Sequence, residues 1–304
     1  MMPYSTEALL RLHTLPGVGA KTIRTILEWV GGKPERMEMF WAMGVEGWAR
    51  EFRFKANIIS ALQQSADITG LADQLGAVGF QPITYSDYPA HLRDDQLMPP
   101  LIYWRGNLAL WEQLGIGFSG SRYTAERGLD YTRTLAELAV QAGLTVVAGQ
   151  AGGVDMMAHQ TVLERGGSTV IVAPEGALKF RLNPQLQELA TPDHVLVISE
   201  FPPKMGWSAG NAMQRNRTII ALSKLLLIIE AGDSGGTLGA GRTALKHERS
   251  VFVLDRPDQP AGNRILINEG ARALSVESPL QLPSLEPPTD PPESSEPPTQ
   301  LSLF

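Results

Sequence analysis

The sequence predicts an α/β protein: a mostly parallel sheet with helices on both faces, preceded by a small all-helical unit. Three observations carry this. From about residue 114, β-branched apolar runs of strand length alternate with helical stretches, the signature of strand–helix–strand units. Several of those runs end in glycine-rich turns that open a helix. Before residue 80 the apolar spacing is helical instead.

The first element is "STEALLRLHTLPGVGAKTIRTILEWV", residues 5–30, which reads as helix, tight turn, helix. Leu9, Leu10 and Leu12 form one apolar face, and Ile23, Ile26, Leu27 and Val30 form the next. Gly17 and Gly19 permit a sharp turn and leave amides bare ahead of the second helix. This is the pattern of a helix-hairpin-helix in a SAM-like unit. Its amides, with Lys21 beside them, suit a phosphate of duplex DNA; a hairpin used only for packing has the same signature. Further short helices up to about residue 80 would pack Phe40, Trp41 and Trp48. The organisation expected is a helical domain over 1–80 and an α/β domain over 81–277.

Within the second domain, "GIGFSGSR", "LTVVAGQAGGVD", "STVIVAP", "HVLVISEFP", "LLLIIEAG" and "SVFVLDRP" each supply a strand. Ligands of such sheets gather beyond the carboxyl ends of the strands. The first end offers Gly120, Ser121 and Arg122, bare amides and a cation leading into a helix. A tight turn without a ligand is the alternative there. The second places Asp155 and His159 on one helix face, read as a turn-ordering acid and its structural neighbour. The loop "EGALKFRLNP" carries Lys179, Phe180, Arg181 and Asn183, two cations around an aromatic, suited to phosphate on the cations and a base on the ring. "NAMQRNRTIIALS" sets Arg215, Asn216 and Arg217 at a helix start, where the bare amides already favour an anion. "IIEAGDSGGTLGAG" follows Glu230 with a Ser-Gly-Gly-Thr turn, and Glu230 as a general base on a nucleotide is the enzymatic alternative.

Composition narrows the classes. The chain has 304 residues, 43% of them apolar, enough for a real core plus a smaller unit. Nothing approaches the apolar run of roughly 20 residues that a membrane helix needs, and the N-terminal residues lack a signal-peptide pattern. With no cysteine, disulfides and thiolate metal sites are excluded, and no metal site is expected. A cytoplasmic protein is the expectation. The net charge of −6 makes any nucleic-acid contact local, and residues 278–299 carry four acids and no base.

Taken in order, "YPAHLRDDQLMPPLIYWRGN", "GFSGSR", "VVAGQAGGVDMMAH", "ISEFPP", "QRNRTIIALS", "LIIEAGDSGGTLGAGRTAL" and "GNRILINEGA" resemble the DNA-processing protein A family, DprA or Smf. The resemblance runs from about Tyr88 to Leu274. It implies a Rossmann-like core, a homodimer, single-stranded DNA binding without catalysis or cofactor, and a part in loading the RecA recombinase during natural transformation. It places the DNA pocket at Gly120, Ser121 and Arg122, the Lys179–Arg181 loop, and Arg215 with Arg217. The sequence departs from the family at Gly152, where the family has an arginine, in the loop around Lys179, and in lacking the winged-helix end of many members. The LOG phosphoribohydrolases share the type of fold, but their Pro-Gly-Gly-x-Gly-Thr arrangement is missing here.

Residues 278–299, with eight prolines in 22 positions, predict an extended, polyproline-II-like linker. "QLSLF", Gln300, Leu301, Ser302, Leu303 and Phe304, resembles the pentapeptide by which many bacterial replication and repair proteins bind the DNA polymerase sliding clamp. Gln300 would hydrogen-bond, and the three large apolar side chains would fill a groove.

Overall fold

The helical spacing near the N-terminus produces six short helices: α1 (Thr6–His13), α2 (Ala20–Val30), α3 (Pro34–Ala42), α4 (Gly44–Phe52), α5 (Ala56–Leu62) and α6 (Leu71–Ala77). The computed structural model describes residues 4–64, 66–276 and 280–283. Ser5 caps α1, its hydroxyl accepting from the Ala8 amide at 3.2 Å. Gly31, with φ 60°, ends α2 in the left-handed conformation that favours glycine. Leu9, Leu10, Leu12, Ile26 and Phe40 are all but inaccessible to solvent, and Trp48 donates its indole N–H to the Phe40 carbonyl at 2.7 Å. Each such aliphatic burial contributes about 1.5–3 kcal/mol.

The rest of the chain builds one nine-stranded sheet. Its strands are β1 (Gln81–Thr84), β2 (Leu101–Gly106), β3 (Gly115–Ser119), β4 (Val146–Ala148), β5 (Thr169–Ala173), β6 (Val195–Ser199), β7 (Ser223–Ile228), β8 (Ser250–Asp255) and β9 (Arg272–Ser275). The spatial order is β1-β2-β6-β5-β4-β3-β7-β8-β9. From β6 to β9 every neighbouring pair is parallel; β1 and β2 add an antiparallel edge. The chain runs outward from β3 to β6, then returns to the other side of β3 and runs outward again through β7, β8 and β9. That reversal beside β3 is the topological switch point, where the crossover helices part and a crevice opens.

Alternation along the strands assigns the faces. Val170 and Val172 join Ile219 and Ile220 of α11 (Ala209–Ala221), Leu238 of α12 (Gly236–Lys246) and Leu266 of α13 (Ala261–Asn268). On the opposite face, Ile116 and Val146 meet Leu135 of α8 (Glu126–Gln141) and Val162 of α9 (Val154–Glu164). Ile171, between the two valines, belongs with the N-terminal helices, whose apolar cluster continues into Leu101, Tyr103 and Val197 of the sheet. The helical unit therefore extends the α8–α9 layer over β5, β6 and β2. Two one-turn helices, α7 (Ala90–Arg93) and α10 (Pro184–Gln187), sit in the connections.

Leu280 and Leu282 pack against the α8–α9 face, so the chain still touches the sheet where a linker is expected from residue 278. The two leucines of "PLQLP" supply apolar surface that the proline content hides. The rest of the predicted linker, and Gln300–Phe304, lie outside the described residues.

Candidate nucleic-acid interface

Two glycine loops meet at the switch point. After β3 the chain passes through Gly120, Ser121 and Arg122; after β4 it turns at Gly149–Gly153 into α9. The Val154 amide donates to the Ser121 carbonyl at 3.4 Å. A Cβ on Gly120 would lie 2.3 Å from Val154 Cγ2, and one on Gly153, at φ +73°, 2.2 Å from the Ser121 carbonyl oxygen. Close approach therefore requires glycine at both positions. The Thr124 hydroxyl donates to the Ser121 carbonyl at 2.6 Å and the Tyr123 amide to Ser121 Oγ at 3.0 Å, which fixes the first loop.

Arg215 enters this junction from α11 and is 5% exposed. Its guanidinium occupies the space above Gly149: a Cβ there would stand 1.7 Å from Arg215 Nη1. Nε and Nη1 are buried with no hydrogen-bond partner among the described residues. Unpaired buried donors of a charged group are costly. Burial pushes the Arg215 pKa down, while Asp155, Glu175 and Glu200 hold the charge from a distance. Burial in turn raises the Asp155 carboxyl, although Arg215 and the Ala151 amide, which donates to Asp155 Oδ2 at 3.3 Å, oppose the shift. Burial pushes Glu200 up to about 7; its Oε2 accepts from Thr218 Oγ1 at 3.1 Å. His159 bridges the Gly149 carbonyl and Thr169 Oγ1, and burial lowers its pKa to about 4.

Over this junction lie two adjoining cavities. The larger, about 500 Å³, is lined by Gly120, Ser121, Arg122, Arg215, Asn216 and Glu230 among others. The smaller, about 290 Å³, shares Arg122, Ala151 and Arg215 and adds Gly152, Glu175 and Trp207. Asn216 Nδ2 donates to the Gly236 carbonyl at 3.3 Å, tying α11 to the Ser-Gly-Gly-Thr turn. The structure thus brings Gly120, Ser121, Arg122, Arg215 and Asn216 into one site.

Other predicted residues go elsewhere. Arg217 turns away, donates to the Gln96 carbonyl at 3.2 Å and lines neither cavity. The Lys179–Asn183 loop stands next to the site, joined through Gln150, which donates to the Arg181 carbonyl at 2.9 Å and accepts from the Asn183 amide at 2.8 Å. Lys179 is exposed there, and Arg181 lines a separate hollow with Arg105. Phe180 requires correction as a stacking surface. It is 3% exposed, meets Phe80 edge-on at 6.2 Å, and lies under Arg105. The helical unit and β2 cover it, leaving no free ring face for a base. Glu230 is buried, and its Oε1 accepts from Arg256, so its carboxylate is already engaged. Gly17 and Gly19 are exposed on the α1–α2 turn, and Lys21 is exposed in the first turn of α2.

Sequence reasoning missed Tyr123 and Trp207, which are 95% and 55% exposed at the cavity mouths. The Arg122 guanidinium lies 5.6 Å from the Trp207 ring centroid. The signal available was an aromatic inside a polar, glycine-bearing loop with no periodic apolar partner. Among the described residues no group of three or more His, Asp or Glu is placed to hold a metal, and no helix is long and apolar enough to cross a membrane.

A mostly parallel sheet with glycine loops and a buried arginine at its switch point defines a Rossmann-like α/β protein. The chain belongs to the DNA recombination-mediator protein A family, whose model matches residues 80–281. It is 34% identical to protein Smf of Synechocystis over 203 residues, 64% of this chain and 51% of that protein, so the match spans about half of the relative's length. It is 29% identical to DNA processing protein DprA of Bacillus subtilis over 64% of this chain and 67% of the relative. The solved DprA of Streptococcus pneumoniae has the same fold, with a TM-score of 0.62 and 23% identity over 77% of this chain and 88% of that one. DNA processing protein A of Helicobacter pylori, whose structure is described for its single-stranded DNA binding mode, aligns with a TM-score of 0.56 and 26% identity over 65% and 92% of the two chains.

Proposed function

We propose that this chain is a non-enzymatic single-stranded DNA-binding protein that acts in DNA processing and recombination. The observation that carries the reading is Arg215: a buried guanidinium that lines both cavities beside exposed Arg122 and a glycine loop. A phosphate bound there would meet a partly desolvated cation, and a charge-assisted bond to it is stronger than a neutral one. The H. pylori relative, which binds single strands, supports the ligand. Lys179, on the adjoining loop, extends the cationic track. A salt series with fluorescent oligo-dT tests this. Binding should weaken with salt and fall at least tenfold in Arg122→Ala/Arg215→Ala, the loss of about two charged contacts, with circular dichroism checking that the variant is folded. No wild-type binding at low salt would sink the reading.

The finer assignments belong to the same proposal. Gln300–Phe304 has the chemistry of a sliding-clamp ligand, a hydrogen-bonding glutamine and three apolar anchors. Removing those five residues should abolish clamp pull-down and leave oligo-dT affinity unchanged. Homodimerisation, RecA as a partner, transformation or repair as the setting, and a duplex contact through Gly17, Gly19 and Lys21 complete it. The second reading is nucleotide cleavage with Glu230, favoured by that residue's place in the larger cavity. Base release from nucleotides by the wild type but not by Glu230→Gln would establish it over the first.

A further inference from the structure

We propose that the smaller cavity is a subsite for one unpaired nucleobase, stacked on Trp207 and given room by Gly152. The inference rests on the single-strand reading and adds the part of the strand that a phosphate site leaves unexplained. Among the described residues six large apolar side chains are well exposed, and three of them, Tyr123, Trp207 and Met213, line the two cavities. Met205, two residues before Trp207 in the same loop, is exposed as well. Apolar surface concentrated this way marks an interaction site.

A phosphate alone does not account for it. The face of an indole carries the negative part of the ring quadrupole and repels anions, whereas it accepts planar heterocycles and cations. Trp207 already holds the Arg122 guanidinium near its ring, so a base on the indole would leave its own phosphate within the field of Arg122 and Arg215. Glu175 lines the same cavity, and its carboxyl group suits the polar edge of a base. Gly152 keeps the space open. A Cβ there would meet only the Arg122 carbonyl oxygen, at 3.5 Å, so the backbone tolerates a side chain and the vacancy belongs to the cavity.

The test compares oligo-dT with an abasic oligomer of equal length, which keeps every phosphate and lacks every base. Wild type should prefer oligo-dT by roughly five- to hundredfold, the range for a stacked base. Trp207→Ala should lower that ratio about threefold or more, and Trp207→Phe should restore most of it. Gly152→Arg should lower the ratio while tightening the abasic oligomer, because it fills the base site and adds a cation. Arg122→Ala should weaken both ligands together. Salt-sensitive binding with an unchanged ratio in Trp207→Ala or Gly152→Arg overturns the subsite and leaves the single-strand reading standing. Failure of the wild type to bind either oligomer at low salt overturns both.

Discussion

Glu200 sits 8% exposed at the end of β6, and burial sets its protonation. Its pKa of about 7 in the folded protein stands above its ordinary 4.5. Between those values the folded state holds more protons than the unfolded one, so this group's contribution to stability falls as pH rises through the window. His13 and His159 act in the opposite sense. Burial lowers both from 6.5 to about 4, so the unfolded chain takes up protons first and stability is lost on acidification. Glu200→Gln removes only the carboxyl's contribution and keeps an acceptor for Thr218. Denaturant unfolding at pH 8 should find the variant more stable than wild type by on the order of 1–3 kcal/mol, and near pH 4 the two should coincide. A gain of equal size at both pH values would show that packing, not ionisation, decides the position.

At the level of elements, the site exists because the residue that follows β4 has no side chain. Arg215 of α11 reaches the strand ends only across Gly149, where any Cβ would collide with its guanidinium. Gly149→Ala should therefore displace Arg215 and weaken oligo-dT binding roughly tenfold or more, the worth of one charged contact, by fluorescence anisotropy. Its far-ultraviolet circular dichroism should stay that of the wild type. Much of this framework was legible beforehand. The six apolar runs from residue 115 onward became β3 to β8, because β-branched stretches bounded by glycine admit few other structures. β1 and β9 are only four residues long, and β2 lies before the strand–helix alternation begins, so that pattern does not mark these three. Gly120, Ser121, Arg122, Arg215 and Asn216 were legible as a site because strand-end position is encoded locally. The fates of Phe180, covered by Phe80 and Arg105, and of Arg217, held on Gln96, depend on residues about 75–120 positions away. Spacing within a loop carries no information about such contacts.

For the whole molecule, the apolar core and the charge distribution lead to different expectations. One apolar cluster runs from the N-terminal helices through Tyr103 into β5 and β6, and the buried pair His13–Tyr103, 3.0 Å apart, lies at the junction. The helical unit and the sheet should then unfold together, with tryptophan fluorescence and circular dichroism giving coincident transitions; two separated transitions would show independent domains. Charge works locally. The 32 acids exceed the 26 Lys and Arg side chains, so the long-range field of the molecule repels a nucleic acid. On the proposed reading, what attracts it is the small set of cations at the switch point, Arg122 and Arg215 with Lys179 beside them. Two or three phosphates neutralised on a single strand give a slope of about −1.4 to −2 for log K against log salt concentration. Arg122→Ala should make that slope shallower by about 0.7, whereas an Arg217→Ala exchange should leave it unchanged, since Arg217 lies outside both cavities. A slope several times steeper in the wild type would mean that the strand runs well beyond this pocket onto other cations, with the exposed turn at Lys21 the first place to look.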